Sequence, residues 1–355
     1  MYRVVAEGLA KIRVNHDVFY NPKMQGLRNI SVSFLSAVGS SGRSLLDATA
    51  ASGIRAIRYK KECDVGHITA LDINRKAHSM CASNMKLNKV GAIALNTSIQ
   101  EYTNATDQRF DIIDLDPFGS PAPYIFDIMK VCGNGTLLMV TATDTAVLCG
   151  AHSDACMKQY GSRPLHNELC KEAGLRILYS YIARVAAGFN FGMVPLLGIS
   201  DMHYMRAFVR LESGALAAAR SAKTNGIGGF CVKCGGFELW SGIGRLCGQT
   251  CQNCRSDMEG FGPIWTGKLY DRQLLGKMAE QSNEGIVRIV DDELDTPMFY
   301  SMPAMTRRMR KGSVSHYKII ERLRQKGFSA TRTQFDSDGV KTNAPVSEVS
   351  KAIGT

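Results

Sequence analysis

Ser44-Leu45-Leu46-Asp47-Ala48-Thr49-Ala50-Ala51-Ser52-Gly53 is a short apolar run that ends in an acid followed by six small residues. Such a run reads as a buried strand. The small residues read as a tight turn whose backbone can approach a ligand closely before a helix starts. The spacing predicts that helix over 53–61, then a strand at 67–71 and a second helix at 76–88. Further strands are expected at 92–96, 110–115 and 136–140, and later ones around 193–199 and 206–211. Strands alternating with helices at this spacing specify βαβ units and a mainly parallel sheet, an α/β fold.

Open sheets of this Rossmann-like kind bind ligands beyond the carboxyl ends of their strands. The second strand ends in Asp72, 25 residues after Asp47. A carboxylate at that end can accept both hydroxyls of a ribose, as dinucleotide and adenosyl cofactors require. The loop lacks the G-x-G-x-x-G spacing of a nicotinamide site.

The sharpest motif closes the fourth strand: Phe110-Asp111-Ile112-Ile113-Asp114-Leu115-Asp116-Pro117-Phe118-Gly119-Ser120-Pro121. The strand delivers Asp116, Pro117 fixes the turn, and Phe118 presents a ring two residues on. An exocyclic amine on a base is a poor nucleophile, because its lone pair is delocalised into the ring. An acceptor that holds the N–H and takes up developing positive charge makes the pair available, and Asp116 suits that role. A ring such as Phe118 can stack on a base flipped from its helix.

The chain carries a formal net charge of +11, with 45% hydrophobic and 21% charged residues. Residues 300–355 hold eleven Lys/Arg against four Asp/Glu, a local excess of seven, and nucleic acid is the usual partner of such a field. Composition shifts across 213–229, which divides the chain into an expected sheet domain, 1–220, and a smaller basic α+β domain, 221–355. In the latter, Cys231, Cys234, Cys251 and Cys254 form two C-x-x-C pairs sixteen residues apart, the spacing of a closed, structural zinc knuckle within 231–254. Cys247 is a fifth candidate with a less natural spacing. Cys63, Cys81, Cys132, Cys149, Cys156 and Cys170 read as small buried hydrophobes. An amphipathic helix is expected over 313–326, capped by Ser313, stopped by Gly327, with Val314, Tyr317, Ile320 and Leu323 on its apolar face. No histidine pair has metal spacing. His67 reads as a core histidine, and none is given a catalytic role. The N-terminus lacks the pattern of a signal peptide, and the most apolar stretch, 185–199, is too short and interrupted to span a bilayer. A cytoplasmic protein, with no membrane association and no obligate protein partner, is expected.

The motifs, in their order along nearly the whole chain, resemble the tRNA guanine-26 N2-dimethyltransferase family, S-adenosylmethionine-dependent enzymes of class I. The segments that carry the likeness are 18–24, 47–58, 113–121, 141–144, 299–300, 307–308, 330–333 and 339–342. The resemblance implies transfer of one and then two methyl groups to N2 of guanine 26 of tRNA. Asp116 is then the acid/base, and Phe118 with Phe19 holds the guanine. Arg28, Asp47, Arg55, Asp72, Ser98 and Ile99 line the S-adenosylmethionine site. Ser98 stands where the family commonly has an acid, and Gln334 where it commonly has a histidine.

Overall fold

In the computed structural model the described residues are 2–201, 203–242 and 250–354. An N-terminal hairpin, β1 (Arg3–Glu7) and β2 (Ala10–Val14), precedes α1 (Gln25–Val38). The sheet is then built from β3 (Leu45–Asp47), α2 (Ile54–Cys63), β4 (Ile68–Leu71), α3 (Arg75–Leu87), β5 (Ile93–Leu95) and α4 (Ile99–Ala105). It continues through β6 (Phe110–Leu115), α5 (Ala122–Lys130) and β7 (Cys132–Ala142). After α6 (Thr145–Leu148), α7 (Ser153–Tyr160) and α8 (Cys170–Gly188), it closes with β8 (Phe191–Ser200) and β9 (Met205–Ser213).

These strands form one seven-stranded sheet in the order β5-β4-β3-β6-β7-β9-β8, parallel except for β9, which runs antiparallel to both β7 and β8. The direction of strand addition reverses between β3 and β6. Right-handed crossovers therefore send α2 and α3 to one face and α4 and α5 to the other, opening a crevice above the switch point. The expected strands are all present. The strand at 110–115 has the expected limits because its apolar run is bounded by Arg109 and the Asp116-Pro117 turn.

The hairpin is a strut along α3. The amide side chains of Asn84 and Asn88, one helical turn apart, each accept from and donate to the backbone of β2, at Arg13 and Lys11 respectively. They satisfy an edge that would otherwise expose unpaired donors and acceptors. Beyond the strut, Val18 is buried against Ala77 and Met80 of α3, so Phe19 arrives at the sheet's carboxyl end on an anchored loop.

The C-terminal half begins with α9 (Ala215–Thr224) and a three-stranded sheet of β10 (Asn225–Phe230), β11 (Phe237–Ser241) and β12 (Glu259–Trp265) in the order β11-β10-β12. Next come α10 (Arg272–Gln281), α11 (Gly285–Asp292), β13 (Tyr300–Ser301), α12 (Met302–Arg308), α13 (His316–Gln325), β14 (Ala330–Arg332), β15 (Gly339–Thr342) and α14 (Val346–Gly354). The core of the large sheet runs on without a break into Phe261, Trp265, Leu275 and Val290, while Tyr300 to Ile353 enclose a core of their own. No helix among the described residues is long and apolar enough to cross a membrane.

Some local expectations are corrected. The cap of α13 is Ser315 rather than Ser313, and its buried stripe is His316, Ile319, Ile320 and Leu323. Tyr317 falls outside that stripe, 58% exposed, with Arg332 over its ring. His67 precedes β4 and is exposed, because the strand starts one residue later. Cys149 and Cys170 are only half-buried, unlike the four other scattered cysteines.

Candidate active site

A cavity of about 690 Å³ opens at the carboxyl ends of β3, β4 and β6, a size suited to a cofactor-sized ligand. Its wall includes Phe19, Arg28, Arg55, Asp72, Ser98, Ile99, Asp116 and Phe118. Of the side chains expected to face a ligand here, only Asp47 is missing from the wall. It lies beneath, at 1% exposure.

The loop after β3 explains how backbone reaches the cavity. Ala51 has a left-handed φ of 46° and Gly53 one of 77°. A Cβ at Gly53 would meet Cys81 Sγ at 2.8 Å, so that position requires glycine on both counts. Asp72 holds the loop, its Oδ2 accepting from the Ala51 N–H at 2.9 Å and its Oδ1 from Asn74 at 2.8 Å. Thr49 Oγ1 accepts the Asp116 N–H at 3.0 Å, which fixes this loop to the β6 motif. Ser98 caps α4 in a reciprocal box with Glu101. Its hydroxyl is thus committed to the helix start while the residue stands in the cavity wall.

Both expected arginines are held by carboxylates. Arg28 donates to Glu7 from Nε at 2.7 Å and Nη2 at 2.6 Å, and Glu7 also accepts from Arg58 and Tyr20. Desolvation opposes the charge of Glu7, but Arg28, with Tyr20 and Arg58, outweighs it and keeps the carboxyl below its usual range. Arg55 donates to Asp116 Oδ2 from Nε at 2.9 Å and Nη2 at 2.6 Å.

Beneath that pair lies a charge cluster that sequence reasoning missed. Asp114, fully buried, accepts both its bonds with Arg206 at 2.9 Å and a third from the Tyr59 hydroxyl. Arg55 Nη1 is 3.8 Å from the same carboxylate. The signal was present: Asp114 and Arg206 each interrupt an apolar strand, and a buried charge demands a partner. Asp47 is helped by Arg55 and by a backbone hydrogen bond at Thr49, which do not offset its burial. Burial, with the Asp114 carboxylate nearby, pushes its carboxyl up to about 7. Its Oδ2 has no hydrogen-bond partner among the described residues.

Phe19 and Phe118 meet edge to face at the mouth, centroids 4.6 Å apart and planes at 82°. They are 52% and 72% exposed. The Phe118 turn is tied to the top of β7, since Gly119 donates to Thr143 Oγ1 at 2.8 Å and accepts from its N–H at 2.9 Å.

The cysteine quartet comes together elsewhere. Two matching knuckles close through Gly235 N–H to Cys231 O and Arg255 N–H to Cys251 O, with left-handed φ at Gly235 and Arg255. The four sulfurs lie within 4.8 Å of one another, with Cys231–Cys254 at 3.4 Å and Cys234–Cys251 at 3.5 Å. Tetrahedral thiolates about 2.3 Å from zinc stand roughly 3.8 Å apart, so the cluster is compatible with a structural zinc ion. Cys247 lies outside the described residues.

A sequence profile of the N2,N2-dimethylguanosine tRNA methyltransferase family matches residues 2–354. The tRNA (guanine(26)-N(2))-dimethyltransferase of Pyrococcus horikoshii is 34% identical over 96% of this chain and 95% of its own length. That of Thermococcus kodakarensis is also 34% identical, over 98% and 99%. The solved structure of Trm1 from Pyrococcus horikoshii with S-adenosyl-L-methionine superposes with a TM-score of 0.92 at 33% identity, covering 99% of each chain. This chain belongs to the N2,N2-dimethylguanosine tRNA methyltransferase family.

Proposed function

We propose that the protein methylates the exocyclic N2 of guanine 26 in tRNA, once or twice, with S-adenosylmethionine as methyl donor. One observation carries the reading: Asp116 and Phe118 share a single cavity with the Asp72-held loop, so an amine acceptor and an adenosyl-type cradle face one another. The cradle fits that cofactor through its volume and its close-approach backbone at Ala51. When bound, the cofactor supplies an electrophilic methyl group on a sulfonium.

The chain's own residues then have separable tasks. Asp72 takes the ribose hydroxyls, and Ser98 and Ile99 border the adenine end. Arg28 and Arg55, each paired with a carboxylate, border the cofactor, with Asp47 beneath the wall. Phe19 and Phe118 hold the flipped guanine between their rings. Asp116 accepts an N2–H and stabilises the charge that develops on nitrogen, while the fixed geometry supplies the alignment. Residues 221–355, basic near their end and stapled by the zinc cluster, hold the tRNA.

The test is to incubate the protein with S-adenosylmethionine and a tRNA transcript, then identify the modified nucleoside and its position by mass spectrometry. Methylated guanine N2 at position 26, absent with Asp116→Ala, is the expected result. Full activity of that variant refutes the assignment of Asp116.

A further inference from the structure

The hairpin that opens the chain carries cations whose charge nothing in the fold uses. β2 alternates cleanly: Ala10, Ile12 and Val14 are buried, while Lys11 and Arg13 stand on the solvent face. Among the described residues neither of these two side chains has a hydrogen-bond or ion-pair partner. That sets them apart from Arg28, Arg55 and Arg58, each of which is held by a carboxylate. The helix beneath the hairpin adds to the excess. Residues 75–89 bear Arg75, Lys76, Lys86 and Lys89 and no acid, and all four are exposed. Residues 1–24 hold two acids, Glu7 and Asp17. Glu7 is buried and taken by Arg28 and Arg58, and Asp17 pairs with Lys76 at 3.3 Å. Neither compensates Lys11 or Arg13.

The hairpin is tied to the cavity. Asn88 holds Lys11 by its backbone and Asn84 holds Arg13, and Asn84 also donates to Ser52 O at 2.9 Å. Ser52 is a wall residue, so one side chain joins the Arg13 backbone to the loop after β3. Six residues beyond Arg13 the chain, anchored by Val18, delivers Phe19 to the mouth. Lys11 and Arg13 are about 6.6 Å apart along the strand, enough for each to take a separate phosphate. Val4, opposite Arg13 in the register, and Leu9 are each 61% exposed, so the hairpin also offers apolar surface for a partner to cover.

We propose that this hairpin face is a second tRNA contact, in which Lys11 and Arg13, backed by Lys86 and Lys89 of α3, grip phosphates near the nucleotide at the mouth. This rests on the tRNA reading above, which gives the grip to residues 221–355 alone. A polyanionic backbone suits bare cations, because each neutralised phosphate releases counterions. Such contacts read no sequence but fix register, and here they would hold the target nucleotide's strand beside Phe19.

The experiment is binding of a tRNA transcript by fluorescence anisotropy, across about 0.05 to 0.5 M KCl. It compares the full chain with Lys11→Gln/Arg13→Gln and with Arg220→Gln/Lys223→Gln. The latter two residues are exposed on α9, which packs on β8 at the sheet edge far from the hairpin. Circular dichroism and S-adenosylmethionine calorimetry first establish that each variant folds and binds cofactor. The hairpin variant should bind tRNA about 10- to 50-fold more weakly at about 0.1 M salt. Its slope of log affinity against log salt should be shallower by about 1.4 to 1.8, the loss of two phosphate contacts. The α9 variant should keep the wild-type slope. At saturating tRNA the hairpin variant should methylate at close to the wild-type rate. An unchanged slope in the hairpin variant overturns the proposal and leaves the face to another partner. So does an equal fall in both variants, which marks diffuse charge rather than a contact. Binding is read without methylation, so wild type that binds tRNA yet leaves guanine 26 unmodified at N2 refutes the methylation reading alone.

Discussion

Arg55 places both of its donated bonds to Asp116 on a single oxygen, Oδ2, at 2.9 and 2.6 Å. The arginine therefore fixes the charge and the orientation of the carboxylate without using Oδ1. Desolvation at the site works toward a neutral carboxyl, and the guanidinium reverses that outcome. Asp116 is thereby held ionised below its usual range, which the proposed acceptor of an N–H bond requires.

Arg55→Gln should accordingly move the acid limb of methyl transfer upward. With the cation gone, burial dominates and the carboxyl protonates at higher pH. Loss of one opposed charge shifts a carboxyl by about one to three units, and the limb in a pH–rate profile should move by a similar amount. The buried pair also stabilises the fold, and breaking it costs about 3–5 kcal/mol, so rates should be compared well below the melting temperature. An unmoved limb would show that Arg55 does not set the charge of Asp116.

Asp47 makes the opposite prediction for stability. Its carboxyl titrates at about 7 when folded, raised by burial and the Asp114 charge, against about 3.9 in an unfolded chain. Between those values the folded state binds more protons than the unfolded state. Stability from this group therefore falls as pH rises from about 4 to 7. Asp47→Asn, which cannot ionise, should remove that slope and stabilise the cofactor-free protein at pH 8 by at most about 4 kcal/mol. Urea melts at pH 5 and pH 8 measure it, and a variant no more stable than wild type at pH 8 contradicts the buried-charge account.

Lys341 is fully buried on β15, with Nζ 3.1 Å from Glu172 and 3.2 Å from Glu293. Glu172 also pairs with Arg176 at 2.8 Å and accepts the Met298 N–H. The cluster joins the helix behind the large sheet to the C-terminal core, so it sets the position of one against the other. Lys341→Met fills the space but leaves Glu293 without a cation, while Glu172 keeps Arg176, and should destabilise the protein by about 3–5 kcal/mol in denaturant melts. A loss under 1 kcal/mol would mean that the acids find other partners. Gln334 supports the same junction. Its amide donates to Gly198 O and Tyr270 and accepts from Ser200, so the amide here serves as a stitch between β8 and the C-terminal segment.

Local pattern made the sheet readable. Apolar runs, small residues after Asp47 and the Asp116-Pro117 turn mark strand ends, and those ends are where ligands sit. The cysteine spacing was equally local. What stayed hidden depends on contacts between distant segments. Nothing near Arg28 in sequence points to Glu7 on a separate strand, or pairs Arg206 with Asp114, 92 residues away. His203 carries no motif, and it enters the cavity wall only because the turn between β8 and β9 lies at the carboxyl end of β7. Helical phase in α13 was misjudged because Tyr317 looks apolar, yet its phenol sits in solvent under Arg332.

The edge-on contact of Phe19 with Phe118 leaves no room for a base between the rings. On the proposed reading, entry of a guanine between the rings has to part them. The Phe118 turn is pinned by two hydrogen bonds to Thr143, and the Phe19 loop by Val18 against α3 and by the Tyr20 hydroxyl, which donates to Glu7. Each ring then contributes stacking worth about 1–3 kcal/mol. Phe19→Ala and Phe118→Ala should each lower kcat/KM for tRNA by roughly 5- to 150-fold. Affinity for S-adenosylmethionine, read by calorimetry, should change little, because Asp72 and the loop after β3 are untouched. Phe19→Tyr keeps the π-face and should keep most of the activity. If Phe19→Ala methylated tRNA at the wild-type rate, the base would not lie between these two rings.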